Sequence, residues 1–218
     1  MARNEAIIEQ LTSLGLAVKQ GNRVQARELA RSLLERDAAP AEVLDAMVQT
    51  MYDVGQSFQR KEIFVPQMLI AARAMSETMK LLEPKLVAAG IKPKYRAVIG
   101  TVAGDVHDIG KNLVAMMWKG TGFDVIDLGT NVSAAKFLET ATQQRPDLVG
   151  LSALLTTTMP AIRTTIEVLK PVRSDGVLVV VGGAPVSQAF ADEIGADGYA
   201  PDAARAVDLA RRLVGTET

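Results

Sequence analysis

The sequence has no cysteine. That removes disulfides, thiolate nucleophiles, cysteine-ligated zinc and iron–sulfur clusters. It has one histidine, His107. A zinc site normally takes three or four protein ligands rich in these two residue types. A metal already held by a macrocycle needs only one axial ligand from the protein, so a single imidazole permits such a group without demanding it. An excess of charge is missing too: 24 basic against 25 acidic residues leave a net charge of −1. Nucleic acid is therefore a poor partner. No run of about 18 consecutive apolar residues occurs, so no membrane-spanning helix is expected. The opening "MARNEAIIEQL" lacks the apolar core of an export signal and reads as the start of a helix. The expected location is the cytoplasm.

What is present falls into two rhythms, as expected of one large or two small domains. Residues 1–89 read as helices. Ile7, Ile8, Leu11 and Leu14 share a face at helical spacing, and "QGN" (20–22) ends that helix. Val24, Leu29, Leu33 and Leu34 start a second stripe. Pro40 suits the first turn of a third helix carrying Val43, Leu44, Met47, Met51 and Val54. A fourth runs from about Val65 to Ala89 with the stripe Leu69, Ala72, Met75, Met79 and Leu82. Short connections predict an antiparallel four-helix bundle, with the methionines filling its core.

Residues 90–95 read as a linker, and from 96 to 218 strands alternate with helices. The strands are "RAVIGTV", "FDVIDL", "DLVGLSAL", "VLVVVGG" and "GYA". Helices are expected near 110–120, 133–144, 160–170, 187–195 and 202–214. This alternation predicts an α/β domain with a parallel sheet covered by helices on both faces. Ligands of such sheets bind at the carboxyl ends of the strands. There lie "GDVHDIG", "LSALLTTT" and "VGGAPVS". Asp105 stands two residues from His107, close enough for its carboxylate to hold one ring nitrogen while the other binds a metal. Gly110, Gly182 and Gly183 would admit a bulky or flat group close to backbone. Ser152, Thr156, Thr157 and Thr158 supply hydroxyls, although the threonines equally suit a cap on the helix near Pro160. On residue chemistry alone this is an α/β domain with a ligand-binding rim.

The order and spacing carry more. Asp105-x-His107-x-x-Gly110, 41 residues, Ser152-x-Leu154, 27 residues, then Gly182-Gly183 resembles the cobalamin-binding signature of base-off, His-on corrinoid proteins. The helical half is similar to the cap that precedes this module in methionine synthase and in the small corrinoid proteins of methyltransferase systems. "VGQSFQRKEIFVPQMLIAARAM" (54–75) carries that likeness. "GGAPVSQAFADEIGADGYAPDA" (182–203) resembles the small corrinoid proteins in particular.

The resemblance implies a helical cap on a Rossmann-like (flavodoxin-like) cobalamin-binding domain. It implies His107 as the lower axial ligand of cobalt, Asp105 as its hydrogen-bond partner, and Gly110 opening the path of the nucleotide tail. Asp108, Ile109, Ser152, Leu154, Thr156, Gly182 and Gly183 would complete the cofactor site. Thr158 falls where methionine synthase has a serine extending the His–Asp relay. Phe58 and Val65 align with the apolar pair that shields the methyl-bearing face, the second being leucine in methionine synthase. The implied function is methyl carriage. Co(I) takes a methyl group from a substrate-specific methyltransferase. Methyl-Co(III) yields it to a second methyltransferase acting on tetrahydrofolate or a thiol coenzyme, and a reductive activating protein restores oxidised cobalt. The chain reads as a subunit of such a system, not an enzyme by itself. The alternatives are a cobalamin-dependent mutase subunit, which would lack this cap, and a cobalamin-binding sensor, which would carry an output domain.

Overall fold

The computed structural model describes residues 2–91 and 93–215. They form two compact units, Met1–Pro93 with Lys119–Gly122, and Lys94–Trp118 with Phe123–Thr218. Lys92, within the expected linker, lies outside the described residues, as does Met1.

The first unit holds α1 (Ala2–Lys19), α2 (Arg23–Glu35), α3 (Pro40–Gln59) and α4 (Val65–Ala88). Local chemistry sets each start. Asn22 accepts from the Gln25 amide at 3.1 Å, the usual satisfaction of an unpaired first-turn donor. Ahead of α3 and α4, the Ala39 and Phe64 amides donate to the side chains of Glu42 and Gln67, and Pro40 and Pro66 occupy first-turn positions. Helix α1 packs on α2 and α3, and α4 packs on α2 and α3. Met47, Met51, Met68 and Met75 are buried. Two stripe positions are corrected: Ile8 and Val24 are exposed. The buried faces there use Leu14, Ala17 and Val18, and Ala26, Ala30 and Leu33. Small side chains let the helices approach closely, which pushes a bulky neighbour on the same arc outward.

The second unit is a five-stranded sheet of β1 (Tyr95–Thr101), β2 (Phe123–Asp127), β3 (Leu148–Ser152), β4 (Leu178–Gly182) and β5 (Gly198–Ala200). The order is β2-β1-β3-β4-β5 and every pairing is parallel. Helices α5 (Ile109–Gly120), α6 (Ala134–Gln144), α7 (Met159–Val168), α9 (Gln188–Ile194) and α10 (Ala203–Leu213) alternate with the strands. A short α8 (Lys170–Ser174) was not expected. It starts straight after Leu169 with Pro171 in its first turn, a position where the missing N–H costs nothing. Residues Ala97–Thr101 are buried without interruption. Successive side chains point to opposite faces, so both faces are covered.

Register places Thr101, Ser152, Gly182 and Ala200 in one row across the carboxyl end of the sheet. Strand order reverses between β1 and β3, and a crevice at such a switch point is where open α/β sheets take their ligands. Among the described residues no helix is long and apolar enough to cross a membrane.

Candidate cofactor site

The site is built on the two loops that leave β1 and β3. Asp105, in the first, is fully buried. Its Oδ1 accepts from the His107 amide at 3.0 Å and from His107 Nδ1 at 2.7 Å. Its Oδ2 accepts from the Leu154 amide at 2.7 Å, the Leu155 amide at 3.3 Å and Thr158 Oγ1 at 2.8 Å. One carboxylate thus ties the two loops together. Burial alone would raise its pKa. The backbone donors of His107 and Leu154, with the His107 ring and the Thr158 hydroxyl, outweigh burial and hold the carboxyl well below the ordinary range.

The imidazole is oriented from behind. Thr101 Oγ1 donates to the His107 carbonyl at 2.8 Å. With an ionised Asp105 accepting from Nδ1–H, Nε2 carries the lone pair. The ring is 46% exposed, and Nε2 has no hydrogen bond among the described residues. The arrangement leaves one nitrogen of a half-exposed, oriented ring available as a donor. Among the described residues no group of three or more His, Cys, Asp or Glu could hold a bare metal ion. The donor set suits a metal that arrives in its own ring.

The surroundings fit such a ring. Val106 and Ile109, on either side of His107 in sequence, are 70% and 81% exposed, and Leu154 and Leu155 on the partner loop are about two-fifths exposed. Contiguous exposed apolar side chains mark a surface that binds something. A Cβ added at Gly110 would meet nothing within 4 Å, so there is open space beside the first turn of α5. Gly183 has φ of 125°, and a Cβ there would lie 1.8 Å from the Ala153 carbonyl oxygen. The ends of β3 and β4 close on each other there as only glycine permits.

The structure brings Asp105, His107, Leu154 and Thr158 into direct contact, and sets Ser152, Gly182 and Gly183 along the same rim. Thr158 begins α7 but makes no side-chain cap; its hydroxyl goes to Asp105. Leu154 enters through its amide, which residue identity does not reveal. Asp108 is exposed and accepts from Asn112 Nδ2 at 2.9 Å. Thr156 is exposed. Phe58 (half-buried in α3) and Val65 (exposed at the start of α4) belong to the helical unit. Sequence reasoning missed Thr101, which no motif marks, and Asn131, whose side chain accepts from the Gly104 amide at 2.8 Å.

Residues 95–208 match the model of a B12 binding domain, and residues 10–83 match a second B12 binding domain model. Fold and site therefore define a B12-binding protein with a helical N-terminal part. The chain is 40% identical over 218 residues to dimethylamine corrinoid protein 2 of Methanosarcina acetivorans, covering 98% of this chain and 99% of the relative. A cobalamin-binding protein from Desulfitobacterium hafniense superposes with a TM-score of 0.78 at 31% identity, covering 94% of this chain and 98% of that one. The methanol:cobalamin methyltransferase complex MtaBC from Methanosarcina barkeri superposes with a TM-score of 0.84 at 28% identity, covering 96% of this chain and 81% of that one. The chain belongs to the corrinoid proteins of methyltransferase systems, and its cofactor is cobalamin or a related corrinoid.

Proposed function

We propose that this protein carries methyl groups between a substrate-specific methyltransferase and a second methyltransferase acting on tetrahydrofolate or a thiol coenzyme. When bound, the corrinoid supplies the cobalt that receives and releases the methyl group. His107 Nε2 would be the protein's nitrogen ligand to that cobalt. The observation that carries the reading is the half-exposed imidazole held at Nδ1 by a buried, fully hydrogen-bonded carboxylate. Asp105 fixes the tautomer, and Thr158 extends the relay, so a proton at Nδ1 has a stable partner. Gly110 and the rim of Ser152, Thr156, Gly182 and Gly183 receive the nucleotide tail, with Asp108, Ile109 and Leu154 lining the approach. Residues 1–89 act as the cap, with Phe58 and Val65 covering the methyl-bearing face. Residues 90–95 link the cap to the cofactor domain, 96–218.

The dimethylamine corrinoid relative supports a methylamine as donor, and the MtaBC likeness supports a methyltransferase partner. A reductive activating protein and a cytoplasmic location complete the proposal. The deciding experiment loads the protein with corrinoid, reduces it and offers dimethylamine, monomethylamine or methanol with the matching methyltransferase. Loss of the reduced-cobalt spectrum with one donor identifies it; no loss with these three, nor with a betaine or a methoxylated aromatic and its methyltransferase, would refute methyl carriage.

Two substitutions test the site. His107→Ala should remove imidazole-nitrogen coupling from the electron paramagnetic resonance spectrum of the Co(II) protein and weaken corrinoid binding roughly 10- to 100-fold. Unchanged coupling would remove the axial-ligand assignment. Gly110→Leu should leave apoprotein stability unchanged or higher by up to about 1 kcal/mol, because leucine favours helix over glycine and the space is open. Corrinoid affinity should nevertheless fall at least ~10-fold, about 1.4 kcal/mol. Retained affinity in equilibrium titration would place the tail elsewhere.

A further inference from the structure

We infer that Lys111 and Asp127 are positioning residues for His107, forming a second clamp on its loop opposite the one made by Asp105. The inference rests on the axial-ligand reading of His107. Lys111 follows Gly110 in the first turn of α5, where a lysine ordinarily extends into water. Its side chain is 1% exposed. Nζ donates to Asp127 Oδ1 at 2.7 Å, Asp127 Oδ2 at 2.6 Å and Asn112 Oδ1 at 2.6 Å. All three ammonium donors are used. Withdrawing an ammonium from water is unfavourable unless it is this fully paired, so the inward turn is a specified link.

Asp127 is the last residue of β2, opposite Ile99 of β1. It ties Lys111 to the β2–α6 loop, because its Oδ1 also accepts from the Gly129 amide at 2.9 Å. The Gly129 carbonyl accepts from the Thr101 amide at 2.9 Å, and Thr101 Oγ1 holds the His107 carbonyl. Two residues past Gly129, Asn131 adopts a left-handed φ of 54°. Its amide donates to the Asp105 carbonyl at 2.8 Å, and its side chain accepts from Gly104. The histidine loop is therefore fastened to β3 through the Asp105 carboxylate and to β2 through Asp127. None of the β2-side groups bonds the imidazole; they act through the backbone that carries it. A loop fastened on one side pivots about that attachment, whereas a metal ligand must be held to within about 0.5 Å.

The test uses the full chain with Lys111→Met and Asp127→Asn, and Asp124→Asn as control. Asp124 pairs with Arg96 at the other end of β2, at 2.8 Å, so it reports generic loss of an ion pair on the same strand. Two readouts are taken: the fraction of Co(II) showing imidazole coupling in the corrinoid-loaded protein, and hydrogen exchange of the Asp105 and His107 amides in the apoprotein. The Lys111 and Asp127 variants should retain corrinoid but lose more than half of the imidazole-coupled fraction. Their two amides should exchange at least ten times faster. Asp124→Asn should match the unmodified protein on both. If Lys111→Met does not fold, Asp127→Asn, which keeps one acceptor oxygen, decides by the same readouts. Wild-type coupling and exchange in the folded variants would overturn the clamp. Absence of imidazole coupling in the unmodified protein would instead overturn the axial-ligand reading.

Discussion

Asp105→Asn should lower the unfolding free energy by roughly 3 kcal/mol at neutral pH, because hydrogen bonds to a buried charged acceptor are worth more than neutral ones and removing it strands its donors. Asp105 is fully buried and accepts from three amides, one imidazole and one hydroxyl. Asparagine keeps one oxygen and turns an NH2 group toward donors. Against a typical total of about 5–15 kcal/mol the loss is large. Its pH dependence has a definite sign. The native carboxyl is held below the ordinary range, so folding favours the ionised form. That contribution is complete above the unfolded pKa of about 3.9 and declines as pH falls through the native value. The gap between unmodified protein and variant should narrow below about pH 4. Urea titration followed by Trp118 measures it, since the chain's one tryptophan is buried in α5. A constant gap down to pH 2 would show that the charge of Asp105 contributes nothing.

Gly183→Ala should be more damaging still. The added Cβ would lie 1.8 Å from the Ala153 oxygen and 2.8 Å from its carbonyl carbon, at a φ of 125°. A left-handed or more extended positive φ costs a non-glycine residue about 1–3 kcal/mol before any clash is counted. The obstacle is backbone, which cannot rotate away as a side chain would. The ends of β3 and β4, joined there by the Ala153 amide and Gly182 carbonyl at 3.2 Å, must separate. A loss of about 4 kcal/mol or more is expected, at the level reserved for a few severe mechanisms. Corrinoid retention should fall with it. Gly182→Ala meets only the Ala200 oxygen, at 3.0 Å, and should be milder. An unfolding midpoint for Gly183→Ala equal to that of the unmodified protein would mean that the two strand ends are not in close contact.

Much of this was legible in the residues. The switch from helical spacing to strand–helix alternation marks two kinds of architecture, and the alternation itself predicts a parallel sheet covered on both faces. The Asp-x-His pair was legible because its chemistry is local: two residues apart, carboxylate and imidazole meet whatever the rest of the fold does. The fastenings were not. The Leu154 amide reaches Asp105 because a parallel sheet sets the two loops side by side, and a backbone N–H has no sequence identity. Lys111 reads as solvent-facing until β2 delivers Asp127 beneath it. The helical stripes failed at Ile8 and Val24 for a related reason. Periodicity gives the arc of a helix that can be buried, while the partner's size decides which residues on that arc are covered.

The sheet order also dictates when the histidine loop can take shape during synthesis. The carboxylate in the loop after β1 finds donor partners 49 to 53 positions later, at Leu154 and Thr158. Until that stretch has left the ribosome, the Asp105 carboxylate keeps its bonds to His107 but lacks the three donors that bury its other oxygen. The helices ahead of it depend mainly on nearer neighbours and can form sooner. A chain stalled before residue 158 would thus carry a finished helical half and the histidine itself, yet have no competence to capture a corrinoid.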